Sequence, residues 1–429
     1  MGKFLSFGKN NKQYKYIWIY VIIRLLNDYI FSGVFPAIIK PDFLAPNNFP
    51  PNILNQIFFY YLGAFIFSFI FNLYLKSQLK GAKKEESQIH SDTYKKYELI
   101  YYIYEPDIEI KTIFFTSILS IIAIETIICF AILGFMGLLY WVFDLFFVAY
   151  INLLIFEIPI YSHKKCAILF IIIFSSLFKL LSTLEYISNN NYNLLYKNHI
   201  ILIPIIVVFY LLISLMRFYS LCKIKWILDF KFIPERIFFV IYNFFGMIIL
   251  LIACLIANFV KCADKAVFND IDLICLIKIE TGNKMEYYYD NFSYFFRQLW
   301  QKDKTIIINI LYLILFLFHL FLNALRLLYS ILIIKHLSPE YYYCSFEIYC
   351  SFIRLLCLIN TIIYNGDVKT EIYNILAELG SLIGICIYLE LIELKFCNLN
   401  HNLRKNNETR SITDYNINNL YDEISNSDD

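Results

Sequence analysis

An arginine and an aspartate stand four residues apart in "VIIRLLNDYIF", residues 21–31, where their neighbours are Ile, Leu, Val and aromatics. In a helix that spacing puts Arg24 and Asp28 on one face, close enough to pair. Other ionisable residues sit in equally apolar surroundings. Glu125 and Asp144 have no opposite charge within helical reach in their own segments. They are candidates for cation or proton coupling, or for pairing with Lys179 or Arg24 on a neighbouring helix. Arg354 suits an anionic substrate through bidentate contacts, but it shares a face with Glu347, which offers an internal partner instead. His319 lies in "FLFHLFLNALRLL" with Asn323 one turn on. Arg24, Asp28, Glu125, Asp144, His319 and Arg354 are the residues we expect at a binding site.

The elements that must position them are set by composition. Of 429 residues, 59% are hydrophobic and only 17% charged, where a soluble domain carries about half and a quarter. The apolar residues come in blocks of roughly 20, the length a helix needs to cross a ~30 Å hydrocarbon core. We expect an all-α polytopic membrane protein with about ten transmembrane helices, over 16–35, 53–75, 112–134, 138–161, 166–186, 199–217, 237–260, 305–334, 343–364 and 372–394. On that frame Arg24 is roughly 12 Å deep and Asp28 near 18 Å, close to the midplane. A charge there costs about 2.5–3.5 kcal/mol and faces a partner or water. The pair therefore either makes the first span insertable or lines a polar cavity.

Charge placement orients the chain. With the N-terminus inside, the inner segments hold 23 Lys and Arg and the outer loops ten, seven of which lie in the long 261–304 loop beside seven acids. The positive-inside rule then puts both termini in the cytoplasm. Trp18, Trp141 and Trp300 fall near segment ends, where amphipathic rings prefer the interface. Asn291 in "NFS" is a glycosylation acceptor on the outer side. Cys262 and Cys275 share the outer loop, where a disulfide forms if that side is oxidising. "MGKFLS" fits the myristoylation pattern at Gly2 and Ser6, and equally a basic cytoplasmic leader. The net charge of +2 does not argue for nucleic acid. No Cys/His spacing suggests a metal, no Gly-rich loop a phosphate cofactor, and no serine elbow a nucleophile. We expect no cofactor.

Ten spans with both ends inside invite division into two five-helix halves, 16–186 and 199–394, between a leader 1–15 and a tail 395–429. An odd number of spans per half inverts the second copy, a common plan in transporters. The fourth-to-fifth junction reads "INLLIFEIPIYSHKKCAILFIIIFSSLF" and the ninth-to-tenth "LINTIIYNGDVKTEIYNILAELGSLIGICIYL". Both run apolar, acid, short polar turn with Lys, apolar. This resembles the drug/metabolite transporter superfamily, whose nucleotide-sugar carriers have ten spans in two inverted halves. Glu157 takes the place of that family's acid, with Asp367 its counterpart. The chain departs from the family in its scarce glycine, where only Gly380 and Gly384 form a GxxxG, and in the long 76–111 and 261–304 loops. It also resembles a group of uncharacterised multipass proteins of protists and fungi ending in a motif like "YLELIELKFCNLN".

The resemblance implies a secondary transporter of a small polar organic solute, working by alternating access in an endomembrane. His319 with Asn323 is similar to the histidine of membrane-bound O-acyltransferases, which keeps a membrane-embedded enzyme as the alternative. A non-transporting polytopic protein is a third reading. The expected partners are the lipid bilayer and the solute. The Gly380/Gly384 face serves close helix packing, in the chain or in a homodimer.

Overall fold

The computed structural model describes residues 14–28, 53–85, 107–132, 143–157, 160–189, 202–231, 233–259, 277–281, 284–288, 305–363 and 368–392, together with Phe292, Phe295, Phe296 and Trp300. Among these residues there are ten α-helices: α1 (Tyr14–Asp28), α2 (Ile53–Glu85), α3 (Asp107–Ile132), α4 (Asp144–Phe156), α5 (Ser162–Asn189), α6 (Leu202–Phe230), α7 (Glu235–Phe259), α8 (Ile306–His336), α9 (Pro339–Ile363) and α10 (Val368–Tyr388). They follow the ten apolar segments one for one. The all-α architecture is as expected, with one small addition outside the helices. Within the 261–304 loop, β1 (Ile277–Thr281) and β2 (Lys284–Tyr288) pair as an antiparallel hairpin, with Thr281 opposite Lys284. "TGNK" places a two-residue Gly-Asn link between two alternating runs, a hairpin signal. Glycosylation at Asn291 and pairing of Cys262 with Cys275 concern positions outside the described residues, as do Asp367 and leader residues 1–13, while Tyr14 and Lys15 begin α1.

Among the described residues, four helices are long and apolar enough to cross a membrane, over Ile57–Tyr74, Ser162–Ser182, Glu235–Phe259 and Ile306–His336. Ile110–Ile122, Asp144–Phe156 and Ile372–Tyr388 are shorter apolar helices. The surface of the long ones identifies their solvent. Only 28–33% of each window is buried, and the outward residues are Phe69 and Ile70 on α2, Leu169 and Ile173 on α5, Ile252 and Ile256 on α7, and Ile314 and Leu317 on α8. A soluble monomer does not leave apolar surface of that extent in water. Lipid covers it without cost, and the chain is a membrane protein.

Helix boundaries follow local rules. Ser338 receives the Tyr341 amide on its hydroxyl, 3.4 Å away, and Pro339 occupies the first position of α9, where its missing N–H costs nothing. Lys335 and His336 end α8, complementing the negative pole of its dipole. Glu157 closes α4 in the left-handed region at φ 57°, and Glu390 takes φ 60° just past α10. A non-glycine residue is uncommon in that region.

The chain forms two compact units, and each draws on both expected halves. One holds α4, α5, α9 from Phe346 onward, and α10. In it α5 and α10 pack along their length. The other holds α1, α2, α3, α6, α7, α8 and the hairpin. There α7 packs on α2 and α3, α6 on α3, and α8 on α1 and α2, with slighter contacts of α8 to α6 and α7. Its core joins Tyr61 and Ala64 of α2, Ile113 of α3, Ile227 of α6, Phe238 and Leu250 of α7 and Ala324 of α8. Gly246 lets the α7 backbone approach α2. A Cβ there would stand 2.2 Å from the Tyr61 ring.

Candidate functional site: a polar seam between α1 and α8

The second unit carries a polar line through its apolar interior. Helices α1 and α8 run antiparallel, with the Tyr16 ring stacked on His336 at 5.3 Å and the Asn27 amide opposite Asn323 farther along. Both helices place polar side chains at the spacing of one face: Tyr20, Arg24, Asn27 and Asp28 on α1, and His319, Asn323 and Arg326 on α8. The two rows meet. Asn27, His319 and Asn323 are buried, while Arg24, Asp28 and Arg326 are half-buried.

Asn27 Nδ2 donates to Asn323 Oδ1 at 3.5 Å, and Asn323 Nδ2 to Asn27 Oδ1 at 3.4 Å. Both distances are long for an amide pair, whose mode is about 2.9–3.0 Å. Asn323 Nδ2 also donates to the His319 carbonyl at 3.1 Å and lies 3.1 Å from His319 Nε2. Tyr60 of α2 brings its hydroxyl to the same Nε2, 2.8 Å away. Both contacts are hydrogen bonds together only when Nε2 carries no proton and accepts from each. His319 thus sits between a phenol and an amide. Arg24 Nη1 donates to the Tyr20 hydroxyl at 2.8 Å, and Tyr20 meets Tyr342 edge-on at 5.7 Å. Asp28 is within electrostatic reach of Arg24, as its spacing requires, and also of Arg326 on the other helix. Arg326 acts on Tyr20, Tyr60 and His319 as well.

The first unit holds a separate charged ladder between α5 and α10. Ser182 Oγ donates to Asn374 Oδ1 at 3.0 Å, Lys179 Nζ meets Glu378 Oε1 at 3.4 Å, and the Ser175 and Ser381 hydroxyls share a bond of 2.8 Å. Lys179 and Glu378 are 8% and 7% exposed, so their pairing is a buried one. The glycines close the ladder. A Cβ on Gly380 would stand 2.0 Å from Phe174, and one on Gly384 2.2 Å from Ile171. The face we expected to serve close packing is therefore filled by α5 of the same chain. Arg354 and Glu347 lie within electrostatic reach of Lys179, which makes a cluster of two cations and two carboxylates among the described residues.

Of the six expected site residues, the structure brings Arg24, Asp28 and His319 together. Arg354 belongs to the Lys179 cluster in the other unit. Asp144, also in that unit, is buried as the first residue of α4, where the helix dipole favours a carboxylate. Glu125 lies on α3, and its side chain is outside the described residues. Sequence reasoning missed Tyr60, Asn27 and Arg326. A signal for Arg326 existed, since His319, Asn323 and Arg326 are spaced i, i+4, i+7. Among the described residues no group of three His, Cys, Asp or Glu is placed to hold a metal ion. No known family model matches the chain, and no curated protein matches it.

Proposed function

We propose that the protein is a secondary transporter of a small polar organic solute, working by alternating access between two inverted five-helix halves, with the α1–α8 seam as its solute site. The observation that carries this reading is the pattern of helix packing. Exchange each helix with the one five places away. The pair α1 with α8 becomes α6 with α3, and α2 with α8 becomes α7 with α3, and all four packings occur. The pairs α2 with α7 and α5 with α10 map onto themselves, and both occur. The slighter contacts of α8 with α6 and α7 are not matched by equally extensive ones of α3 with α1 and α2. Polar contacts follow the exchange too. Tyr60 of α2 bonds His319 of α8, and Tyr242 of α7 lies beside Ser120 of α3. Asn27 of α1 bonds Asn323 of α8, and Ser120 of α3 bonds Ser220 of α6.

Helix directions support single crossings. Helices α1 and α8 are antiparallel, and so are α5 and α10, where Ser175, Lys179 and Ser182 meet Ser381, Glu378 and Asn374. Helices α2 and α8 are parallel, since Phe59 meets Phe316 and Gly63 meets Leu320. Odd separations in chain order are antiparallel and the even one is parallel, as a chain crossing once per helix requires. This plan is similar to that of the drug/metabolite transporter superfamily. In the enzyme alternative His319 would act as a base. Its Nε2 is engaged by Tyr60 and Asn323, which favours a positioning role.

The test is solute flux into proteoliposomes holding the full chain. Uptake of at least one polar organic solute is expected, reduced about tenfold or more by Arg24→Ala or Asn323→Ala with the folded yield unchanged. Equal flux for wild type and empty vesicles across the solutes tried would overturn the reading. An endomembrane location with both termini cytoplasmic belongs to the same proposal. A C-terminal tag reachable by antibody after selective plasma-membrane permeabilisation supports it, and a protected tag refutes it.

A further inference from the structure

Resting on the transporter reading, we infer that Arg24 and Arg326 bind the anionic group of the solute, and that Asp28 is the internal counter-ion that takes its place when the site is empty. Arg24 lies ten residues from the Tyr14 end of α1, and Arg326 ten residues from the His336 end of α8. Those two ends are together, so both guanidiniums stand at one level, about 15 Å along either helix. Among the described residues of the seam, two guanidiniums face one carboxylate, and the other side chains are phenols, amides and an imidazole. Arg326 makes no hydrogen bond or ion pair among the described residues, although Asp28 is within its electrostatic reach. A guanidinium at membrane depth needs a counter-charge or water, and its fork matches a carboxylate or phosphate ester bidentately. The layer beyond it suits hydroxyls. The Asn27 and Asn323 amides pair at 3.4 and 3.5 Å, long enough that a ligand hydroxyl improves on either bond.

The charge count explains why an anion and Asp28 would alternate. With Asp28 within electrostatic reach of both guanidiniums, the empty site has a surplus of one positive charge, and a bound monoanion removes it. Asp28 is tethered by one side chain, so it can turn away from Arg326 when an anion arrives and back toward it when the anion departs. The empty carrier then reorients with Asp28 as counter-ion, and the loaded carrier with the solute. Without Asp28 the empty site would carry two uncompensated guanidiniums, and only the loaded form could reorient. Headgroup phosphates lie at the interface, a helix half-length away, so a dissolved solute fits this level better than a lipid.

Two measurements test this on the full chain in neutral detergent and in phosphatidylcholine vesicles. Thermal shifts are read first with succinate and glucose 1-phosphate against glucose and putrescine, at constant ionic strength set with chloride. An anion of the set is expected to stabilise the wild type, about tenfold more weakly in Arg326→Gln and less weakly in Arg326→Lys. Asp28→Asn is expected to bind the same anion about threefold or more tightly, since its internal competitor is gone. Vesicle transport of that anion is read second. Asp28→Asn should retain exchange of internal for external anion and lose net uptake, whereas the wild type shows both. Stabilisation by glucose or putrescine alone, by no probe, or by phosphatidylserine in place of the soluble anions overturns the proposal. So does a Asp28→Asn variant that binds the anion no tighter or loses exchange and net uptake alike. Failure of the transporter reading looks different: Arg326-dependent anion binding in every arm with no flux in either mode.

Discussion

At the residue scale, Tyr60, Asn323 and His319 form a chain of hydrogen bonds inside an otherwise apolar packing. Each link is worth about 1 kcal/mol in such surroundings, and a lost partner leaves a buried atom unsatisfied. Tyr60→Phe keeps the ring, which meets His319 edge-on at 5.1 Å, and removes only the hydroxyl. It should lower stability by about 1 kcal/mol with the fold intact, measured by thermal unfolding in detergent. Should His319 serve as a proton acceptor in chemistry, Tyr60→Phe would alter a reaction and not merely a melting temperature. Arg326 follows Asn323 by three residues and so shares its face. In sequence it stands in "NALRLL", near the end of a long apolar run, and looks like a snorkelling residue. Only the antiparallel register of α1 on α8 brings it level with Arg24 and within electrostatic reach of Asp28.

At the element scale, the α5–α10 ladder combines close approach with buried polarity. Lys179 and Glu378 are each nearly excluded from solvent, so removing one partner strands the other. Lys179→Met is expected to cost about 3–5 kcal/mol, and the double change Lys179→Met with Glu378→Met much less, because no uncompensated charge remains. Thermal unfolding of the two variants separates these outcomes, and equal losses would mean that Glu347 or Arg354 carries the pairing. Gly380→Leu is expected to destabilise more than either, since even a Cβ would collide with Phe174 at 2.0 Å. The GxxxG spacing was legible in "ELGSLIG". Whether α5 or a second chain fills it was not, because a small-residue stripe has the same sequence signature in both cases.

At the scale of the whole molecule, each compact unit takes helices from both halves of the chain. Under exchange by five helices α1–α8 maps onto α6–α3 and α2–α8 onto α7–α3, while the contacts of α8 with α6 and α7 have no equal counterpart, and this cannot be read along the sequence. The two junctions differ by several residues in the polar turn. Topology can nevertheless be tested directly. Cysteines placed at Tyr16 and His336, whose rings stack, should cross-link in vesicles, while a pair at Tyr16 and Asn309 should not. Cross-linking of the second pair would show that α1 and α8 run parallel and would dissolve the seam.

Hydropathy by itself determined that this chain lives in lipid and is built from helices, because a backbone in hydrocarbon must satisfy its own hydrogen bonds within each segment. It also placed the ten segments, their charged interruptions and the Arg24–Asp28 spacing, all of which are local properties. What tertiary structure decided is who meets whom. Arg24 and Asp28 join Arg326 and the His319 row, while Arg354 goes to Lys179 and Glu378 in another unit. The physical reason is that lipid-facing Ile and core-facing Ile are the same residue. A membrane helix therefore carries no apolar stripe that names its inner face, and partner choice rests on a few polar and small side chains that only packing brings together.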